Sequence, residues 1–395
     1  MDYLILRRWF FAVACIFLVL NLGCADEYRT VVDSRGVAVQ VPLEIARVVT
    51  ISDGLVEGVM TSLGIEDKLV GLGTDCLPKL WVWEYPTVEG KNYTLEGMNT
   101  VNYLNPWIRD LPLVASYGMP PNYEMLVSLD PEVVIIRGGD CTFWTDEDSM
   151  QQAINTIDSL GIPLIVTYGP NTYDEPNMSI ISEEIRIIGQ VFGREVDAIE
   201  LADYLESEVE FVRERTEDIS DDEKPRVLLF GLSPRSRDGG GAGDIEGTDT
   251  IESFFLEEIV NAKNAFQEPA YFKLVSAEHV LALDPDVIVL PTDWGYHPSR
   301  ELYEAPYYQN LQELTAVKNR RVMALPWLPC NCDKRLEYPI EVMVMAKAAY
   351  PERFEDVDLA EWLLEFYQNV FNVDQETAEG LRTAQLMGWT LEEES

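Results

Sequence analysis

The chain has 395 residues, 47% of them apolar and 10% aromatic, enough hydrophobic material for two or three ordinary domains and too much for a disordered tail. Lys and Arg number 29 against 69 Asp and Glu; the formal net charge of -40 repels phosphate backbones and anionic lipid, which argues against nucleic acid as a partner. Only 2 His leave little material for a His-rich zinc or manganese site or a His-based catalytic triad.

The first residues carry export grammar. Arg7-Arg8 precede an uncharged apolar run over residues 9–22, shorter than the roughly 20 residues of a membrane-spanning helix, then Gly23-Cys24 and the polar Ala25-Asp26-Glu27. Residues 1–23 read as a lipoprotein signal peptide, with Cys24 the lipid-modified first residue of the mature chain and a lipid anchor to the outer face of the cytoplasmic membrane. A short uncleaved anchor helix is the alternative, because Asn21 sits where such cleavage boxes usually carry Leu. Both readings place the body of the protein outside the cytoplasm. There Cys76, Cys141, Cys330 and Cys332 meet an oxidising compartment.

Along the body, strands and helices alternate. A strand is predicted over 48–51, a helix over 55–63, a strand over 69–73, a helix over 150–160 and a strand over 162–166. Residues 179–219 read as helix, and 195–216, without Gly or Pro, as one rod. The second half repeats the order, with strands over 226–230, 287–290 and 321–325 and a helix over 250–260; the segments 340–349 and 359–371 are helices expected to pack on that half. The clearest signal is an internal echo. Residues 126–136 read LVSLDPEVVII and 280–290 read VLALDPDVIVL: a helical turn, an Asp-Pro stop and a β-branched run suited to a strand buried on both faces. The expected fold is α/β, two similar lobes of parallel-rich sheet with flanking helices, at 24–178 and 221–395, joined by a backbone helix over 179–220.

This arrangement resembles the substrate-binding lipoproteins of ABC importers for iron-siderophore, haem and cobalamin, the periplasmic-binding-protein group with a helical backbone between its lobes. The resemblance rests on residues 29–36 (RTVVDSRG, similar to an opening hairpin R-x-V-x-D-x-x-G), on 48–73 (VVTISDGLVEGVMTSLGIEDKLVGLG), on both LDP copies, and on Asn310-Leu311, Val317-Lys318 and Arg320-Arg321-Val322 before the last strand. It implies capture without catalysis: a monomer with no cofactor that binds an iron(III) chelate of siderophore type, or cobalamin or haem, in the crevice between the lobes and delivers it to a permease. In the family an acidic residue on the first helix of each lobe pairs with permease Arg. Here the usual places fall at Gly58 and Phe255, so Glu57 in the first lobe and Glu252 and Glu257 in the second are the candidates.

Loops after the strands should line the crevice, and they gather Trp81, Trp83, Arg137, Trp144, Arg235, Arg237, Trp294, Tyr296, His297 and Trp327. Aromatics offer apolar area and guanidinium groups offer donors to carboxylate or catecholate oxygens, a combination suited to a large chelate. About half of these aromatics would serve only to pack loops; Arg235 and Arg237 could be surface charges, and Arg137 could be held by Asp140. Cys76 and Cys141 follow strands of one sheet and either form a disulfide or stay free thiols. Cys330 and Cys332 with His297 would be the material for the competing class, a surface metal-dependent enzyme, should the three converge. The segment 79–122, rich in Trp and Tyr, is either a lid or an insertion that only covers its lobe. Asn92-Tyr93-Thr94 and Asn177-Met178-Ser179 match the glycosylation sequon.

Overall fold

The computed structural model describes residues 27–116, 119–139, 142, 147–173, 177–291, 298–329, 331 and 333–392. The chain opens on an antiparallel hairpin, β1 (Tyr28–Val32) and β2 (Ala38–Pro42). Each fixed letter of R-x-V-x-D-x-x-G has a physical task there. Arg29 donates to the carbonyls of Leu43 and Gln190, Val31 is buried, and Gly36 takes the turn at φ 73°. Buried Asp33 accepts from the backbone of Arg35 and Val37 and from Val166 N–H at 3.1 Å, which fastens the hairpin to the first lobe.

That lobe is built from β3 (Val48–Ile51), α1 (Leu55–Ser62), β4 (Leu69–Leu72), the hairpin β5 (Leu80–Pro86) and β6 (Asn92–Met98), α2 (Thr100–Leu104), α3 (Tyr123–Ser128), β7 (Val133–Gly138), α4 (Glu147–Ser159) and β8 (Leu164–Tyr168). Its sheet runs β4-β3-β7-β8, all parallel. After α5 (Ser179–Phe192) and α6 (Glu195–Thr216) come β9 (Arg226–Gly231), α7 (Pro234–Asp238), β10 (Gly243–Ile245), α8 (Ile251–Phe254), β11 (Lys263–Asn264), β12 (Lys273–Val275), α9 (Ala277–Leu283), β13 (Val287–Leu290), α10 (Ser299–Glu304), α11 (Thr315–Lys318) and β14 (Val322–Ala324). The parallel order in this second sheet is β11-β9-β13-β14, the order of the first, with antiparallel β10 and β12 added on the β9 edge. The chain closes with α12 (Tyr338–Ala349), α13 (Leu359–Phe371) and α14 (Gln375–Ala384).

The twin LDP segments are equivalent parts. Asp130 and Asp284 both take positive φ, 46° and 36°, between a short helix and the strand beside the first strand of their lobe. Proline bars right-handed helical geometry from the residue before it, and a short polar side chain tolerates the left-handed alternative. The acid after each proline then does the same job: Glu132 accepts from Ala46 N–H at 2.6 Å and Asp286 from Arg226 N–H at 2.8 Å, each holding the entry to the lobe's first strand.

Strand residues alternate between two cores, which is why these strands read as continuous apolar runs. Val133, Ile135, Val227, Leu229, Val287 and Val289 face a core that also takes α5, α6, α12 and α13 and so runs beneath both lobes. Val134 and Ile136 face a core of the first lobe alone, Leu228 and Ile288 one of the second. The connector is two helices: Gly193, at φ 66°, breaks α5 from the unbroken α6. The closing helices do not stay with the second lobe. α13 meets α1, and α14 meets α2 and β6. The first helix of the second lobe, expected as one α-helix over 250–260, opens after Phe254 into a π-helical turn, Phe255–Ile259.

If the two acids are equivalent latches, Glu132→Ala and Asp286→Ala should each lower unfolding free energy by about 1–2 kcal/mol in denaturant titration, and additively; one variant without effect would break the equivalence.

Candidate functional site

The carboxyl ends of β3, β7 and β8 point toward the second lobe, and each delivers polar side chains there. Arg137, near the end of β7, is 1% exposed. Its Nη1 lies 2.9 and 2.8 Å from the two oxygens of Asp53, its Nε and Nη2 each 2.8 Å from Glu184 on α5, and it donates further to the carbonyls of Lys334 (2.9 Å) and Asp333 (3.0 Å). Burial alone would lower the pKa of this guanidinium; Asp53 and Glu184 outweigh it and hold the group charged. All the donors of Arg137, a residue expected to contact ligand, are thus taken up by the chain itself. The partners that hold it are Asp53 and Glu184; Asp140 lies outside the described residues.

The two carbonyls belong to the second lobe's segment 333–337, which seats on the first lobe's strand ends. Asp333 packs directly on Gly139 and Gly169: a Cβ on either would stand 2.2 or 2.6 Å from its atoms, so only glycine fits at both. Lys334 is buried between Glu252, to which it donates, and Glu341 at 2.8 Å. Burial would pull its ammonium down, and these two carboxylates outweigh that. Arg335 donates to the Pro329 carbonyl at 2.6 Å, and Thr100 of the first lobe donates to Glu337.

A second bridge comes from β5 and β6. The hairpin is rooted in the first lobe and fastened to the second. Trp81 meets Trp327 edge to face at 5.4 Å, Trp83 Nε1 donates to Glu301 at 3.1 Å, Arg300 lies 4.0 Å over the Tyr93 ring, and Val88 N–H donates to the Glu304 carbonyl at 2.8 Å. Glu301, fully buried, also accepts from Tyr307 O–H at 2.5 Å and stands 3.7 Å from Arg237. Within the segment 79–122 it is therefore the hairpin, residues 80–98, that reaches the second lobe, while Val101, Ile108, Pro112 and Val114 pack on Leu72 and Leu77 of the first.

Of the sequence candidates, Trp81, Trp83, Trp327 and Arg237 come together around α10. Trp327 is buried, and Trp81 and Trp83 are half-buried. Arg237 stacks 4.1 Å over Tyr307 and donates at 2.7 Å to both Tyr308 O–H and the Leu232 carbonyl. Arg235 is exposed on the short helix α7. Trp144, Trp294, Tyr296 and His297, together with Cys24, Cys141, Cys330 and Cys332, lie outside the described residues. Cys76 is disulfide-bonded, and every other cysteine lies outside the described residues.

The docking candidates are drawn into the protein's own interior and contacts. Glu57 is 0% exposed and faces the interior, where no permease can reach it, and neither oxygen makes a well-formed hydrogen bond. Burial pushes its carboxyl above the usual range, and the nearby Thr50 and Ser52 hydroxyls offset only part of this. Glu252 is held by Lys334, and Glu257 accepts from Asn264 N–H at 3.1 Å and Gln267 at 3.0 Å. A hollow of about 580 Å³ lined by Ser62, Gly64, Glu200, Tyr204 and Asn372 lies at the carboxyl end of α1, opposite the strand ends, and does not coincide with the crevice.

Two sheets of one strand order, their strand ends turned toward the opposite lobe, and a helical backbone beneath make up the two-lobed fold of a solute-binding protein. Residues 58–327 match the family model described as periplasmic binding protein, and the chain belongs to that family, whose members serve ABC transporters by binding solutes rather than by catalysis. It is similar to an ABC transporter substrate-binding lipoprotein YvrC of Bacillus subtilis, whose own function is uncharacterised, at 24% identity over 83% of this chain and 87% of the relative. It is similar to the molybdate-binding protein MolA of Haemophilus influenzae at 23% identity over 91% and 95%. A crystal structure of the TroA-like periplasmic binding protein FepB from Veillonella parvula shares the fold at TM-score 0.66 and 20% identity, over 86% of this chain and 95% of that one. Among the described residues no helix is long and apolar enough to cross a membrane.

Two outcomes follow. Arg137→Met, which strands Asp53 and Glu184, should cost about 3–5 kcal/mol in denaturant unfolding. The raised Glu57 carboxyl contributes stability that is present below pH 4.5, the ordinary value, and is lost as pH rises through its folded value. Glu57→Gln should therefore gain Tm relative to wild type as pH is raised above 4.5; a difference that does not change with pH would show that the carboxyl does not titrate with a raised value.

Proposed function

We propose that this extracytoplasmic solute-binding protein captures an iron(III) complex of siderophore type and presents it to the permease of an ABC importer. The observation that carries the reading is the aromatic roof: β5 and β6 bring Trp81, Trp83 and Tyr93 across the gap onto Trp327 and α10, placing flat apolar area where the two sets of strand ends converge. A bulky chelate needs such area, whereas a bare oxyanion needs a compact ring of donors. Molybdate, which MolA is named for, is the contrasting cargo, and haem and cobalamin are further arms of the test.

We also propose that Cys24 carries the lipid anchor and that Cys141 is the disulfide partner of Cys76. β4 and β7, the strands that precede these cysteines, flank β3 in one sheet.

Intrinsic tryptophan fluorescence of the full-length protein should be quenched saturably by a ferric siderophore complex. Trp83→Phe, which unfastens the roof from Glu301, should weaken that binding by about tenfold, equivalent to about 1.4 kcal/mol. No saturable response to ferric siderophores, with saturation by molybdate, haem or cobalamin, would replace the cargo. Separately, Cys24→Ser should move the protein from the membrane fraction to the soluble extracytoplasmic fraction; retention on the membrane would favour the uncleaved helix.

A further inference from the structure

The opening hairpin, β1 and β2, has two faces of opposite character. On one, Val31 and Val41 enter the core beneath the lobes, and Arg29 is tied to the carbonyls of Gln190 and Leu43. The other face, one residue out of step, pairs Tyr28 with Pro42, Thr30 with Gln40 and Val32 with Ala38. Tyr28 and Val32 are 52% and 53% exposed, and Thr30, Ala38 and Gln40 are exposed with them. Gln40 donates to the Thr30 hydroxyl at 2.7 Å, so the polar pair at the centre of this face serves itself. None of the six is ionisable near neutral pH, in a chain of which 25% is charged and whose sum is -40; charges begin at the margins, with Glu27 and Glu44.

The same face lies where the chain leaves its anchor. Three residues separate Cys24 from Tyr28, and at full extension that link spans no more than about 14 Å. If the leader instead stays as a helix, its apolar run ends at Leu22, five residues before Tyr28, and the reach is still only about 21 Å. The lobe occupies the inner side of the hairpin, so the bilayer meets the body from the outer side. We infer that the uncharged face of β1 and β2 is the surface on which the protein sits against the lipid that holds its anchor. This depends on the anchor reading above, in either form, and adds to it the pose of the body. A molecule at -40 is repelled by anionic lipid, and a face without ionised groups is the part that approaches at least cost in hydration. Tyr28, with an apolar ring and a polar tip, suits the headgroup layer.

The test is hydroxyl-radical footprinting of the full-length protein, expressed with its leader and reconstituted in phosphatidylcholine vesicles, with oxidation read residue by residue by mass spectrometry. Tyr271, in the second lobe, is 56% exposed against 52% for Tyr28, so a body standing clear of the lipid would oxidise both at similar rates. The expected result is Tyr28 oxidised at least about fivefold more slowly than Tyr271, at every protein-to-lipid ratio. Val32→Glu places a charge at an exposed position of the face and should bring the two rates within about twofold of each other; should that variant fail to fold, the wild-type ratio carries the test. Equal rates on protein that stays with the vesicles would overturn this inference and leave the anchor and solute capture standing. Protein that does not stay with the vesicles would overturn the anchor reading and this inference together. Protection of Tyr28 that vanishes as protein is diluted at fixed lipid would give the face to a second copy of the chain and overturn the lipid assignment.

Discussion

A guanidinium taken out of water is tolerable only when every donor has an acceptor and its charge has a counter-charge, and this requirement at Arg137 organises the middle of the molecule. Asp53 comes from the loop after β3, Glu184 from α5, and the remaining acceptors are main-chain carbonyls of the second lobe. One side chain therefore needs the first sheet, the connector and the opposite lobe to be in place together. The glycines at 139 and 169 make the same demand sterically, because Asp333 occupies the volume their side chains would fill.

Two further ties limit how the lobes can part. The core beneath them is continuous, through α6 and the closing helices, and the β5–β6 hairpin is fastened to α10 through the buried Glu301. Opening the crevice by a free hinge would separate Arg137 from its carbonyls and Trp83 from its carboxylate.

The fold was largely legible in the sequence because its signals are local. The LDP echo, the β-branched runs and the uninterrupted stretch 195–216 each depend on residues within one turn or strand, and β13 and α6 fall where the pattern placed them. The site was less legible, because its partners are distant. Arg137 stands 84 residues from Asp53 and 47 from Glu184, and nothing in the spacing marks either acid as its counter-ion. Lys334, Arg335 and Glu301 were passed over for the same reason. The hairpin β5–β6 did carry a signal: Trp81, Trp83 and Tyr85 alternate with Val82 and Glu84, the period of a strand with one covered face. Burial was the other blind spot, since Glu57 reads as an ordinary helix charge until α5 and the sheet enclose it.

The central claim, that the gap between the lobes carries a metal chelate for import, is tested most directly by native mass spectrometry combined with metal analysis on protein isolated from its own host. The account predicts one organic ligand per chain with iron in matching amount, lost together on mild denaturation. A tightly held molybdenum oxyanion, or a metal-free organic solute in stoichiometric amount, would contradict it.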